Sequence, residues 1–327
     1  MDTLSPSHDP HATGRSTTFW FLRRRWVELA MVADGYFADR VPRMAAALSY
    51  YTIFSLAPLL VIAVAFAGLA FDDVTARGHV TGQFRALLGE QGAVAVQTMV
   101  EHAHREQASL LATIIGMATL LIGATGVFGE LQDSLNSIWK VQAKPGRTVR
   151  LLVRSRLLSF AMVFGSGFLL LVSLVLSAVL SAAGTWLEGV SGGWWHASGA
   201  IDATISFIII GLLCAASFKL LPDVSVRWRD VWLGALLTSL LFTAGKSLIG
   251  LYLGKSAIAS TYGSMGALAV LLIWIYFSSQ VFLIGALFTR AHAVVDGSVA
   301  TPLRDAEWLP GHDADTAIRE ARERIAG

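Results

Sequence analysis

The chain holds a single cysteine, Cys214, in 327 residues, so an intrachain disulfide is excluded and the redox compartment stays open. Charge is scarce too. Asp, Glu, Lys and Arg make up 15% of the residues, against about 25% in an ordinary soluble domain. Apolar residues reach 54%, and a chain so composed cannot clothe itself in a polar surface. Catalytic signatures are missing as well: there is no HExxH, P-loop, nucleophile elbow or paired-carboxylate constellation. The only His/Glu cluster runs Glu101-His102-Ala103-His104-Arg105-Glu106. On a helix its two histidines point apart, so a shared ion would need extended backbone. The sequence therefore predicts no enzyme, no metal and no cofactor.

What is present is hydrophobic length. Six apolar segments run at about 45–71, 108–128, 157–187, 201–221, 231–253 and 266–290. Each reaches the roughly 20 residues that a helix needs to cross a bilayer. The expected fold is all-α: a polytopic helical membrane protein with six transmembrane helices over 45–292, plus interfacial amphipathic helices. The third segment is long for a straight span and is expected to tilt. Trp139, Trp186, Trp194, Trp195, Trp228 and Trp232 fall near segment ends, as an aromatic belt requires.

Residues 1–18 are polar and lack the apolar core of a cleavable signal, so a disordered cytoplasmic lead is expected and the first span reads as a signal-anchor. Over 19–44, Trp20, Phe21, Trp26, Leu29, Ala30, Ala33 and Phe37 alternate with Arg23, Arg24, Arg25, Glu28 and Asp34, the pattern of an interfacial amphipathic helix. The outer loop 72–107 carries Val80, Phe84, Leu87 and Leu88 at helical spacing and reads as one or two amphipathic helices. In the polar cytoplasmic tail, 293–327, a short charged helix is expected at 314–326 and disorder elsewhere.

Topology follows from the basic residues. Six lie before the first span, six after the second, three between the fourth and fifth, and five after the sixth. The alternate loops hold only Arg77, Arg85, Arg105 and Lys255, while Lys246 lies inside a span. Twenty against four is a strong positive-inside bias. It puts both termini in the cytoplasm.

Polar residues inside spans are costly and are candidates for function. In the first span these are Ser49, Tyr51, Ser55 and Pro58, the last three sharing one helix face at i, i+4 and i+7. Lys246 lies in the fifth span, and Tyr276, Ser279 and Gln280 in the sixth. Together these eight are the candidate transport path, with snorkelling of Lys246 and plain interhelical hydrogen bonding as the competing accounts. Glu130, Asp133 and Asn136, past the second span, are candidates at the inner interface, where a solvated helix face competes. Gly116, Thr119, Gly123 and Gly126 read as a packing stripe, and Gly250 with Gly254 as a GxxxG pair.

Three stretches carry a family resemblance. Ala46-Ala47-Leu48-Ser49-Tyr50-Tyr51 with Ser55-Leu56-Ala57-Pro58-Leu59, then Phe128-Gly129-Glu130-Leu131-Gln132-Asp133-Ser134-Leu135-Asn136-Ser137-Ile138-Trp139, and finally Tyr262-Gly263-Ser264-Met265-Gly266-Ala267-Leu268 with Leu272-Ile273-Trp274-Ile275-Tyr276 and Gly285-Ala286, resemble the YihY/BrkB membrane proteins over about 19–292. The resemblance implies a six-span bacterial inner-membrane protein without established catalytic or binding residues. Some members have carried a ribonuclease BN label and some are called virulence factors linked to serum resistance. Transport of lipid or envelope components has been suggested for relatives.

The leading expectation is a transporter or exporter of a lipid, envelope precursor or other small amphiphile. A non-transporting scaffold for envelope assembly or serum resistance is the alternative, and a ribonuclease is not supported by any motif. Anionic headgroups account for the basic inner segments. Membrane lipids are thus the expected partners, nucleic acid is not, and a homo-oligomer is left open. The topology has a direct check in reporter fusions. A green fluorescent protein fused after residue 327 should fluoresce and alkaline phosphatase there should be inactive, whereas phosphatase inserted within 72–107 should be active. The reverse pattern contradicts the charge count.

Overall fold

The computed structural model describes residues 12–67, 126–144, 197–255, 264–298 and 300–326, with residues 78 and 97 standing alone. All of the third expected span, most of the second, nearly all of the outer loop and the 101–106 cluster lie outside these residues. Helix α1, Ala12–Ala38, begins within the stretch expected to be disordered. Pro6 and Pro10 both precede its first residue, so nothing in the stretch after them interrupts a helix. Helix α2, Val41–Ala67, follows after a two-residue turn and runs on through Pro58.

Helix α3 covers 126–139 and continues past the end of the second expected span. The turns that close α1 and α3 each place a non-glycine residue in the left-handed region, Arg40 at φ 54° and Lys140 at φ 59°. Helix α4 is Ala197–Leu220, α5 Trp228–Lys255 and α6 Ser264–Val295. The tail is ordered rather than disordered. Its strand β3, Thr301–Pro302, pairs antiparallel with β2, Val224–Ser225, while β4, Ala306–Trp308, pairs antiparallel with β1, Val141–Ala143. Helix α7, Ala314–Ala326, is the charged helix expected from the sequence, and Asp313 caps it by accepting the Thr316 N–H at 2.6 Å. Two small ladders thus pin the tail to segments 160 or more and 70 or more residues away in sequence, roughly the offsets of Lys144 to Arg304 and Ser225 to Thr301.

Helix α6 is the hub: α1, α2, α5 and α7 all pack on it, and α4 leans chiefly on α5. Its 32 residues extend about 48 Å at 1.5 Å each, well beyond the roughly 30 Å of bilayer hydrocarbon. Among the described residues, Ala269–Val295 is the one segment long and apolar enough to cross a membrane. The apolar run of α4, Ser206–Leu220, is shorter than a span. The structure thus gives one clear spanning helix. Six remain the sequence's expectation, with α2, α4 and α5 coinciding with three of the others.

Two matched Gly-xxx-Thr pairs fix the crossing of α5 and α6. A Cβ on Gly234 would lie 1.8 Å from Thr289 Oγ1, and one on Gly285 would lie 1.8 Å from Thr238 Oγ1. Each threonine hydroxyl donates to the carbonyl of the glycine four residues before it, Thr238 to Gly234 at 2.7 Å and Thr289 to Gly285 at 2.8 Å. The hydroxyls are therefore satisfied inside their own helices and the backbones can approach until glycine meets threonine. Gly285→Ala should overpack this crossing and cost about 1–3 kcal/mol of stability. Adding Thr238→Ala to the same chain should recover part of the loss in a thermal-unfolding measurement. Equal stability of Gly285→Ala and the unaltered chain would contradict the packing.

Candidate functional site

The polar side chains of the described residues gather where α6 ends. Helix α1 runs antiparallel along the second half of α6, and four contacts mark its path. Arg24 pairs with Asp296; Glu28 Oε1 lies 3.1 Å from His292 Nδ1; Gly35 abuts Leu287; and the Tyr36 hydroxyl donates to Gln280 Oε1 at 2.6 Å. A Cβ on Gly35 would sit 2.9 Å from Leu287 Cδ2, which is why this turn of α1 can press so close.

Glu28 is the centre of the contact. Its carboxylate is 0% exposed and receives Arg25 Nη1 at 2.7 Å as well as His292, with Arg24 Nε at 3.7 Å. Burial alone pushes this carboxyl up, but the His292 and Arg25 hydrogen bonds outweigh it and hold Glu28 below the ordinary carboxylate range. The ring of His292 stacks on Phe288 one turn earlier. The opposite face of α1 is bare: Trp26 is 72% exposed and Phe37 76%, with Leu29 exposed between them.

A second hub is Asp223, in the bend between α4 and α5. Its Oδ2 accepts Asn136 Nδ2 at 2.9 Å and Gln132 Nε2 at 3.1 Å, and its own N–H donates to Asn136 Oδ1 at 2.8 Å. Its carbonyl takes the Leu303 N–H at 2.9 Å, so one residue ties α3, the α4–α5 bend and the tail together. A third link joins Lys140, after α3, to the buried Asp39, after α1.

The candidate transport path does not converge on one cavity among the described residues. Ser49 Oγ donates to Ala45 O at 2.7 Å and Ser55 Oγ to Thr52 O at 2.9 Å, each within α2. Tyr51 instead packs its ring over Gly126 of α3. Gln280 and Tyr276 do come together, but around Tyr36, whose phenol is pushed up by burial and then by Tyr276. Ser279 is partly buried on the same helix. The side chains of Pro58 and Lys246 lie outside the described residues. Of the interface candidates, Asn136 clamps Asp223 and Asp133 is exposed. Glu130 is half-buried, and burial, then the Asp133 charge, pushes its carboxyl up.

Residues 32–306 match the family described as Virulence factor BrkB. The chain belongs to this family. Among curated relatives, a UPF0761 membrane protein of Alkalilimnicola ehrlichii is 30% identical over 278 residues, covering 82% of this chain and 60% of that protein. One from Neisseria meningitidis serogroup B is 28% identical over 277 residues, covering 83% and 62%, and one from Ralstonia nicotianae 25% over 255, covering 76% and 54%. The chain thus spans about three fifths of the length of these BrkB-family relatives. They are named as membrane proteins, with no activity in the name. No solved structure matches.

Glu28, Tyr36, Asp223 and Arg290 were not singled out as site residues by sequence reasoning. The signal for Glu28 was its placement on α1 across from Trp26 and Phe37, and nothing marked Tyr36. Glu28 is buried but its partner Arg25 is half-exposed, so Glu28→Ala, which leaves His292 without its carboxylate partner, should cost about 1–3 kcal/mol. Because the folded state lowers the Glu28 pKa, its stabilisation is present above the ordinary carboxylate value of 4.5 and is lost as pH falls through the lower folded one. Thermal unfolding in detergent from pH 7 to pH 3 should show the gap between the two proteins closing only in the acid range. A gap that closes already between pH 7 and 5.5 would contradict this.

Proposed function

We propose that this chain is a multi-pass inner-membrane transporter of a lipid, envelope precursor or other small amphiphile, with both termini cytoplasmic. One observation carries the reading: Gln280 of the clearest spanning helix is engaged by Tyr36 of an amphipathic helix whose aromatic face is left bare. Near Tyr36, α1 meets α6 through a neutral hydrogen bond that water can replace at modest net cost, while the buried Glu28, two turns earlier, stays anchored. The Trp26, Leu29 and Phe37 face of α1 is suited to lipid. A helix anchored at Glu28 and bounded by lipid on its other face can pivot there and swing its Tyr36 end away from the bundle. In this reading α1 is the inner gate, and the described state is closed to the cytoplasm.

The scaffold reading is favoured by a different observation. The hydroxyls of Ser49, Thr52 and Ser55 are all spent on their own helix, so the polar stripe of α2 has no need of a wet cavity.

A crosslink separates the two. In a Cys214→Ser background, Tyr36→Cys and Gln280→Cys joined by a short bis-maleimide should abolish amphiphile flux in reconstituted vesicles, while each single variant retains it. Flux unchanged by the crosslink would overturn the gate. Unaltered protein giving no more flux than empty vesicles, over a panel of lipids, would overturn transport itself.

A further inference from the structure

Beyond the end of α6, the β1–β4 ladder and α7 enclose a cavity of about 230 Å³. Trp139 and Trp308 line it together with Val294 and Ile318, and it holds two cations, Lys140 and Arg290. The volume is below the roughly 300–1,000 Å³ of pockets for drug-sized ligands, and corresponds to about seven or eight waters at ~30 Å³ each. It has room for a headgroup, not for a whole lipid.

The two cations are differently occupied. Lys140 is bound to Asp39. Arg290 makes no hydrogen bond or ion pair among the described residues, and Asp39 and Glu320 act on it only as more distant charges. A guanidinium on a cavity wall offers a planar fork of donors matched to phosphate oxygens. Thr316 and Ala317, in the first turns of α7, line the same space. The opposing acids are each engaged or screened: Asp39 is paired with Lys140. Asp313 is engaged as the cap of α7, and Glu320 is solvent-exposed, where water and salt screen its charge.

We propose that this cavity binds a phosphate-bearing anion, either a phosphomonoester headgroup of a lipid or a free phosphate, with Arg290 as its principal ligand and the Trp139 and Trp308 side chains as its walls. The site does not depend on transport and stands whether or not the α1 gate exists.

The full chain in phosphatidylcholine nanodiscs is titrated calorimetrically with inorganic phosphate and with glycerol 3-phosphate, and its retention of phosphatidic acid from mixed vesicles is measured in parallel. At least one source should bind saturably. Response to the free anions identifies a soluble ligand, and retention of phosphatidic acid alone identifies a headgroup. Arg290→Gln should weaken that binding about 10- to 100-fold, the worth of a charge-assisted pair of hydrogen bonds. Arg290→Lys, which keeps the charge and loses the fork, should weaken it less. Ala314→Leu, which keeps the arginine and fills the cavity, should also weaken it and guards against misfolding of the arginine variants. Binding of neither source to the unaltered chain would overturn the proposal. So would Arg290→Gln and Ala314→Leu proteins that both bind as tightly as the unaltered chain.

Discussion

The arrangement depends on one constraint: α6 is longer than a bilayer is thick, and its second half must be completed by protein. From Gln280 onward its polar groups, Gln280, Thr289, Arg290 and His292, have to meet partners other than hydrocarbon. Helix α5 takes Thr289 through the paired glycine–threonine crossing, and α1 takes Gln280 and His292. Helix α7 covers Val294 with Ile318 and Ala321. Each neighbour is placed by what α6 needs on that side. The buried Glu28 carboxylate, hydrogen-bonded to Arg25 and His292, is worth about 1–3 kcal/mol against its removal. By contrast the exposed Arg324–Asp34 pair between α7 and α1 contributes about 0–1 kcal/mol. The anchoring of α1 therefore lies in its buried charged face, not in the surface pairs around it.

A second layer of order comes from long-range ties that bind the polar end together. Asp223 joins three segments, Lys140 reaches Asp39 across the ends of α3 and α1, and two short ladders hold the tail. These ties turn the tail into a floor beneath α6, and the cavity at Arg290 is the space left between floor and helix. Arg40 and Lys140 accept left-handed backbone at the turns that begin this layer, a conformation that costs of order 1 kcal/mol or more in a non-glycine residue. The paired Lys140–Asp39 contact sits next to both.

Hydropathy made the helices legible. The expected spans at 231–253 and 266–290 fall inside α5 and α6, that at 201–221 overlaps α4 to within one residue, and the charged helix at the end of the chain is where its pattern placed it. What escaped was partnership. Two- and three-residue strands carry no periodicity, so nothing in Val224-Ser225 announces Thr301-Pro302. The alternation in α1 marked its aromatic face as the working one, yet the buried face carries Glu28, whose burial is offset by Arg24, Arg25 and a hydrogen bond with His292. Arg290 was counted only as one charge in the topology. The glycine motif sought was GxxxG, while the crossing uses glycine against threonine. Ser49 and Ser55 drew attention as polar residues in a span, and both turned out to bond to their own backbone. Sequence shows that a polar group is costly; only the fold shows what relieves it.

The central claim is that α1 is an integral part of the bundle end, held there by Glu28. Hydrogen–deuterium exchange in nanodiscs tests it most directly. Amides over 24–36 should exchange as slowly as those over 284–295, and Glu28→Ala should release the α1 segment while leaving residues 234–238 of α5 protected. Fast exchange of α1 in the unaltered chain, at the rate of a free peptide, would contradict the account.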